Sequence, residues 1–230
     1  MAPARCLRGG RPPECGRTNL VNSEQARIRP FQSDDLGELY RICLLTAYDG
    51  QDGTSLYRDA RMPGYVYAAP YALFEPSLAF VAEDADGVGG YIVAALDSHA
   101  FEQRLERDWW PALRASHPEP SQDLAQGLSI PEQFALHWIH HPVGTPDELA
   151  RAFPSHLHIN LVPRLQGQGT GRQLIATVIS ALRDQGSAGL HLHVSLRNQR
   201  AARFYQRVGF AELPPGDARV FTMKFADLAG

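Results

Sequence analysis

Lysine is nearly missing from this 230-residue sequence: Lys224 stands alone beside 21 arginines, which are spread over every segment. The net charge is only −3 and no basic block interrupts the body of the chain. Nucleic acid, which needs a concentrated cationic face, is therefore not an expected partner. Cysteine is scarce as well. Cys6, Cys15 and Cys43 are odd in number and lack CxxC spacing, which argues against a disulfide framework and for a reducing, cytoplasmic setting. No apolar run approaches the roughly 20 residues of a membrane span, so none is expected. Residues 1–24 carry Arg5, Arg8, Arg11 and Arg17 with no apolar stretch behind them, and read as a flexible tail rather than a secretory signal. What the chain has in quantity is apolar surface to bury. At 44% hydrophobic residues, residues 25–230 suffice for one globular domain with a substantial core.

Periodicity divides that domain. "ARIRPFQSDDLGELYRICLLTAY" predicts a short strand over 28–31 and then a helix, with Ser33 as N-cap, Asp34 and Asp35 at its positive end, and Leu36, Leu39, Tyr40 and Cys43 at helical spacing. Residues 50–76, rich in Gly, Pro and Tyr, predict a long ordered loop with a helical turn or two. Two apolar runs around a turn at 83–87 predict a hairpin. A helix follows over 101–113, then a connector with a helix near 131–136. A short helix is expected after Thr145, with Thr145 as cap and Pro146 in its first turn. The last third alternates strand, helix, strand, helix, strand, which makes the chain α/β with a right-handed crossover.

One stretch carries a ligand signal. "PRLQGQGTGR" places Gly167, Gly169 and Gly171 within five residues, between an alternating strand and an amphipathic helix. Bare N–H groups at a helix start form an anion site, and missing Cβ atoms let a phosphate approach the main chain. A dinucleotide GxGxxG is excluded, because the last position falls on Arg172 or Leu174. A Walker loop is excluded because no Lys follows. The remaining pattern is Gln166-x-x-Gly169-x-Gly171.

That loop, followed by Asn198-x-x-Ala201-x-x-Phe204-Tyr205-x-x-x-Gly209-Phe210, resembles the GNAT family of acetyl-CoA-dependent acyltransferases over about residues 27 to 227. More narrowly, "YRICLLTAYDG", "LYRDARMPGYVYAAPY", "IHHP" and "HLHINLVPRLQGQG" resemble the acetyltransferase-like domain at the C-terminus of O-GlcNAcase and its free-standing bacterial relatives. The resemblance implies a mixed, twisted sheet of about six to seven strands flanked by helices and splayed between the fourth and fifth strands. It implies acetyl-CoA as cofactor and a small-molecule or peptide amine as acceptor. Main-chain groups of Leu161 and Val162 would pair with the pantetheine arm. Gln166, Gly167, Gln168, Gly169, Thr170, Gly171 and Arg172 would hold the pyrophosphate. Asn198 would touch the cofactor arm, with Arg203 nearby, and Tyr205 would protonate the departing thiolate.

The base is less obvious. Alternation puts His156, His158 and Asn160 on one face of the fourth strand, and the resemblance suggests a carboxylate where Asn160 stands. An amide cannot take a proton, so His158 or His156, with an ordinary pKa near 6.5, or an ordered water is the expected substitute. Tyr48, Asp52, Tyr57, Asp59, Arg61, Tyr65, Tyr67 and Tyr71 are expected to line an acceptor groove. His137, His140 and His141 have helical spacing but no acid or cysteine close in sequence, so no metal is expected and a pocket wall with Trp138 is the reading.

Overall fold

The computed structural model describes residues 26–121, 125–216 and 218–228; the expected tail at residues 1–24 lies outside them. Among the described residues, β1 (Arg27–Pro30), β2 (Ala79–Asp84), β3 (Gly87–Ala95), β4 (Ser155–Leu161), β5 (Gly189–Val194), β6 (Ala211–Glu212) and β7 (Arg219–Lys224) form one sheet in the order β1-β2-β3-β4-β5-β7-β6. Its neighbours are antiparallel except β4 and β5. That parallel pair is joined by α8 (Thr170–Asp184), the crossover a parallel connection requires. The mixed sheet flanked by helices is the architecture expected from the sequence.

The feature that positions the site is where β4 and β5 stop pairing. They meet only at Ser155↔Leu190 and His156↔His191. Beyond that point β4 stays laddered to β3 as far as Gly90↔Leu161, and β5 stays laddered to β7 as far as Val194↔Arg219. Each strand follows its outer neighbour, so a gap opens along residues 157–161.

Helices cover both faces. On one face α8 buries Leu174, Ile175, Val178, Ile179 and Leu182, the i, i+4, i+8 stripe read from the sequence, against Leu157 and Leu190, with Ile159 and Leu161 packed at the margin. Burial of that kind stabilises by about 1.5–3 kcal/mol per large side chain before chain entropy is subtracted. On the other face α1 (Leu36–Leu44), α2 (Met62–Tyr67), α3 (Ala69–Phe74) and α6 (Ile130–His140) pack on Val81, Tyr91 and Val93. No described helix is long and apolar enough to cross a membrane.

Several local expectations change. Ser33 does not cap α1; it begins a 3-10 turn, Ser33–Asp35, closed by a capping box between Gln32 and Asp35. The Asp35 carboxylate also pairs with Arg29 at 2.6 Å, and that arginine holds its pKa below the usual carboxylate range. Residues 62–74 form two short helices, more regular structure than the helical turn or two expected within a long loop, because Pro63 and Pro70 sit in the first turn of each, where a missing N–H costs nothing. Pro111 divides the next helical stretch at Trp109 into α4 (Ser98–Asp108) and α5 (Trp110–Ser116). In α7 (Asp147–Ala152) the N-cap is Pro146, because Thr145 Oγ1 donates to Glu102 Oε1 at 2.6 Å instead.

Candidate active site

At the glycine loop, Gly167 and Gly169 take φ of 79° and 87°, left-handed backbone that other residues adopt at a cost. Gly169 is the N-cap of α8. From Gly167 to Arg172, six successive main-chain N–H groups donate to no acceptor among the described residues. The helix start accounts for the last four of them, Gly169 to Arg172, and Gly167 and Gln168 extend the run outward into a cradle. Nothing lies within 4 Å of where a Cβ would stand on Gly167 or Gly169. This open run of donors on a positive helix end fits a pyrophosphate.

The remaining loop residues do different work. Gln166 Nε2 donates to Leu161 O at 2.6 Å and Gln168 Nε2 donates to Arg164 O at 2.9 Å, so both side chains brace the loop. Gly171 is bare for packing rather than for ligand approach: a Cβ there would stand 3.1 Å from Phe204 Cζ and 3.3 Å from Leu161 Cδ1. Thr170 is wholly buried and its Oγ1 has no partner. Arg172 is exposed and donates to Arg207 O at 3.2 Å, tying α8 to the end of α9 (Gln199–Arg207). Arg203 is exposed and makes no ion pair among the described residues.

Along the gap the available main chain departs from the expectation at one of its two residues. Val162 N–H donates to Gly89 O at 2.9 Å, so Val162 is committed to β3. Antiparallel ladders alternate, which turns the N–H and C=O of Ile159 and the N–H of Leu161 toward the gap, the Leu161 carbonyl already accepting from Gln166 Nε2. Ile159 was not singled out from the sequence; the strand's register, once its partner is known, reveals it.

His156 and His158 share one face of β4, as alternation requires, and His191 of β5 joins them, its ring centroid 5.7 Å from that of His156. Tyr71, from α3, bridges the first two: its hydroxyl lies 2.9 Å from His156 Nε2 and 3.2 Å from His158 Nε2. Ser98, at the start of α4, lies 2.7 Å from His156 Nδ1 and donates to Pro154 O at 2.8 Å. His191 Nδ1 donates to Phe153 O at 2.8 Å. Burial, then the neighbouring imidazoles His193 and His191, lower His158 to about 4, and burial pushes His156 well below its ordinary value. The expectation of an ordinary imidazole pKa near 6.5 is thus corrected: both rings are neutral at pH 7, and weaker bases than free histidine. Of the expected acceptor-groove residues, Tyr71 and Tyr67 reach this cluster, the Tyr67 ring lying 5.2 Å from that of His158. Tyr48 stacks instead with Arg197.

Asn160 Nδ2 donates to Tyr91 Oη at 2.7 Å, and Tyr91 is fully buried. The amide satisfies a buried phenol. Tyr205 sits on the opposite face of the sheet, packed between Phe204, Phe210 and Phe221; burial raises its pKa, so it is a protonated donor at pH 7. Thr170 Oγ1 is the one enclosed side-chain polar atom without a partner among the described residues. The Tyr205 hydroxyl and His158 Nδ1 likewise make no hydrogen bond among the described residues. Asn198 Oδ1 accepts from Ala201 N at 3.0 Å and caps α9, while its Nδ2 faces Gly50. Arg197 pairs with Asp49 at 3.1 Å, which fastens that loop beside it.

His137, His140 and His141 lie outside this cluster. His140 Nε2 donates to His117 O at 2.8 Å, and His141 Nε2 lies 2.9 Å from Glu119 Oε1. An acid does stand near them, supplied by the connector, and ligand-capable atoms of Glu119, His137 and His141 fall within 4.8 Å of one another. All three residues are exposed, and the Glu119–His141 hydrogen bond accounts for the proximity of that pair.

Over 186 residues, 81% of this chain, the sequence is 24% identical to protein O-GlcNAcase of Rattus norvegicus and covers 20% of it, so the chain spans about a fifth of that relative's length. It is 31% identical over 123 residues to mycothiol acetyltransferase of Thermomonospora curvata, covering 50% of this chain and 38% of that one. The crystal structure of SsHAT matches with a TM-score of 0.77 at 34% identity, over 87% of this chain and 98% of that chain. Residues 54–210, well over half of the chain, match the family described as the acetyltransferase (GNAT) family, and the chain belongs to that family.

Proposed function

We propose that the protein is an N-acetyltransferase that binds acetyl-CoA at the glycine loop and along the opened edge of β4, and passes the acetyl group to an amine acceptor. The observation that carries this reading is the run of six N–H groups, Gly167 to Arg172, without an acceptor among the described residues, at the mouth of a gap with a neutral imidazole on one side and a protonated phenol on the other. Acetyl-CoA, when bound, supplies the activated acyl carbon and a thiolate leaving group. The Gly167–Arg172 amides hold the pyrophosphate, with Leu161 and Ile159 main-chain groups along the arm. His158 Nδ1 accepts the proton that the acceptor nitrogen loses as the new C–N bond forms. The Tyr205 hydroxyl donates to sulfur as the C–S bond breaks. A small-molecule or peptide amine fits this chemistry.

Tyr205→Phe is an unusually clean test. Because the hydroxyl makes no hydrogen bond within the described residues, its loss should leave the fold and acetyl-CoA affinity unchanged. Thiol release with a panel of amines is expected to fall about 100-fold, the scale of a lost general acid. A second reading is supported by Asn160, whose amide is tied to Tyr91 where the family resemblance suggests a carboxylate: the domain would bind acetyl-CoA as a recognition module without turnover. Acetyl-CoA binding by calorimetry with no thiol release from any amine, in wild type as in Tyr205→Phe, would sink the enzyme reading and leave the second.

A further inference from the structure

The hydrogen bonds behind His158 have only one consistent direction. Pro154 O is a carbonyl and can only accept, so at 2.8 Å the Ser98 hydroxyl spends its single proton there. The Ser98 oxygen must then accept from His156 Nδ1, 2.7 Å away, which makes Nδ1 the protonated nitrogen of His156. A neutral imidazole has one N–H, so His156 Nε2 is an acceptor and takes the Tyr71 proton across 2.9 Å. With that proton committed, the Tyr71 oxygen can only accept from His158, 3.2 Å away, so His158 carries its proton on Nε2. The lone pair at His158 Nδ1, for which no described group competes, is left as the open end.

We infer that Ser98, His156 and Tyr71 are positioning residues that fix His158 in the tautomer whose unprotonated Nδ1 serves the reaction. This rests on the reading of His158 as the base. The direction of the relay matters because a proton arriving at Nδ1 breaks nothing: the protonated ring still donates from Nε2 to Tyr71. Were the relay reversed, Nδ1 would already be a donor, and Nε2 would face the Tyr71 proton. The same logic keeps His156 neutral, since protonating its Nε2 would oppose the Tyr71 hydroxyl, and this agrees with the direction in which burial moves it. The components converge from far apart in the chain, 85 and 58 residues from His156 in sequence, so no local motif could supply them.

Imidazole ¹⁵N spectra of the full chain, labelled at histidine, read the tautomers directly. The expected result is His156 protonated at Nδ1 and His158 at Nε2. In Tyr71→Phe, which keeps the ring and removes the bridge, His158 should lose its single tautomer and kcat for thiol release should fall about tenfold, with KM for acetyl-CoA and its calorimetric affinity unchanged. Ser98→Ala, which removes the acceptor of His156 Nδ1 and one donor to Pro154 O, should disturb His156 first and the rate less. His158 protonated at Nδ1 in the wild type would overturn the inference. So would a Tyr71→Phe protein that keeps both the tautomer and the rate. His158→Gln separates this from the parent reading: normal turnover with the tautomers as assigned would remove the base role, and the inference with it. A wrong tautomer with a slow His158→Gln protein would overturn the inference alone.

Discussion

At the glycine loop, six successive N–H groups find no acceptor among the described residues, whereas on the histidine face of β4 the polar atoms of Ser98, His156 and Tyr71 are all engaged and, in that chain of hydrogen bonds, His158 Nδ1 alone has no partner among the described residues. Both regions border the same gap. The loop gains its chemistry from donors that the fold leaves unpaired at the positive end of α8, so its identity resides in backbone conformation. The histidine face gains its chemistry from saturation, because a network with every bond satisfied but one can hold that one in a fixed state. A substitution at the loop should therefore act on binding, and one at the face on protonation.

The largest effect is expected from Gly169→Asp. Gly169 is the N-cap of α8, and aspartate is a favoured N-cap, so the helix should survive. Its carboxylate would occupy the open N–H groups itself and repel an anion. Acetyl-CoA affinity is expected to fall about 100-fold, roughly 2.7 kcal/mol, with the fold intact by circular dichroism. Gly169→Ala is the control for the strain of φ 87° and should lose only a part of that affinity. Equal losses would show that strain rather than charge is responsible, and no loss in either would remove the loop from the binding site.

Acid should strike the other region first. Burial holds His158 and His191 at about 4 in the folded protein, below the roughly 6.5 of an unfolded histidine. Between those values the unfolded chain binds protons that the folded one refuses, so stability rises with pH across the window and is lost as pH falls from about 6.5 toward 4. Each ring contributes about 1.4 kcal/mol per pH unit there. Carboxylates held low by arginine, such as Asp35 and Asp84, act only below that window. Urea denaturation at pH 7 and pH 5 measures the slope, and His191→Asn should reduce it. A flat profile would mean that the rings are not held neutral, and the contrast between saturated face and open loop would fail.

The two regions were unequally legible in the sequence. Glycine spacing located the loop and excluded its two rivals, because backbone chemistry is written in consecutive residues. Strand alternation likewise put His156, His158 and Asn160 on one face. The repeat of that signal in "GLHLHV", which brings His191 beside them, was equally available from period-two reasoning. Tyr71 and Ser98 were out of reach as partners, since only tertiary packing carries α3 and α4 onto β4. The same limit applies to Gly171, whose missing side chain makes room for Phe204 on another helix. Pro63 and Pro70 misled in a different way: composition reads proline as a breaker, yet in a first turn it starts a helix.

The smallest expected effect refines the comparison most, because it concerns an unpaired group in the loop that is not there for a ligand. Thr170 Oγ1 is enclosed and has no hydrogen-bond partner, which leaves the cost of desolvating a hydroxyl uncompensated, about 1–3 kcal/mol. Thr170→Val keeps the shape and removes that hydroxyl, so thermal or urea unfolding should show stabilisation of about 1 kcal/mol. Acetyl-CoA affinity should not change, since the atom is sealed from the loop's open side. A loss of affinity beyond a few-fold would show instead that the start of α8 rearranges on binding and turns this hydroxyl outward, making it a seventh donor in the same cradle.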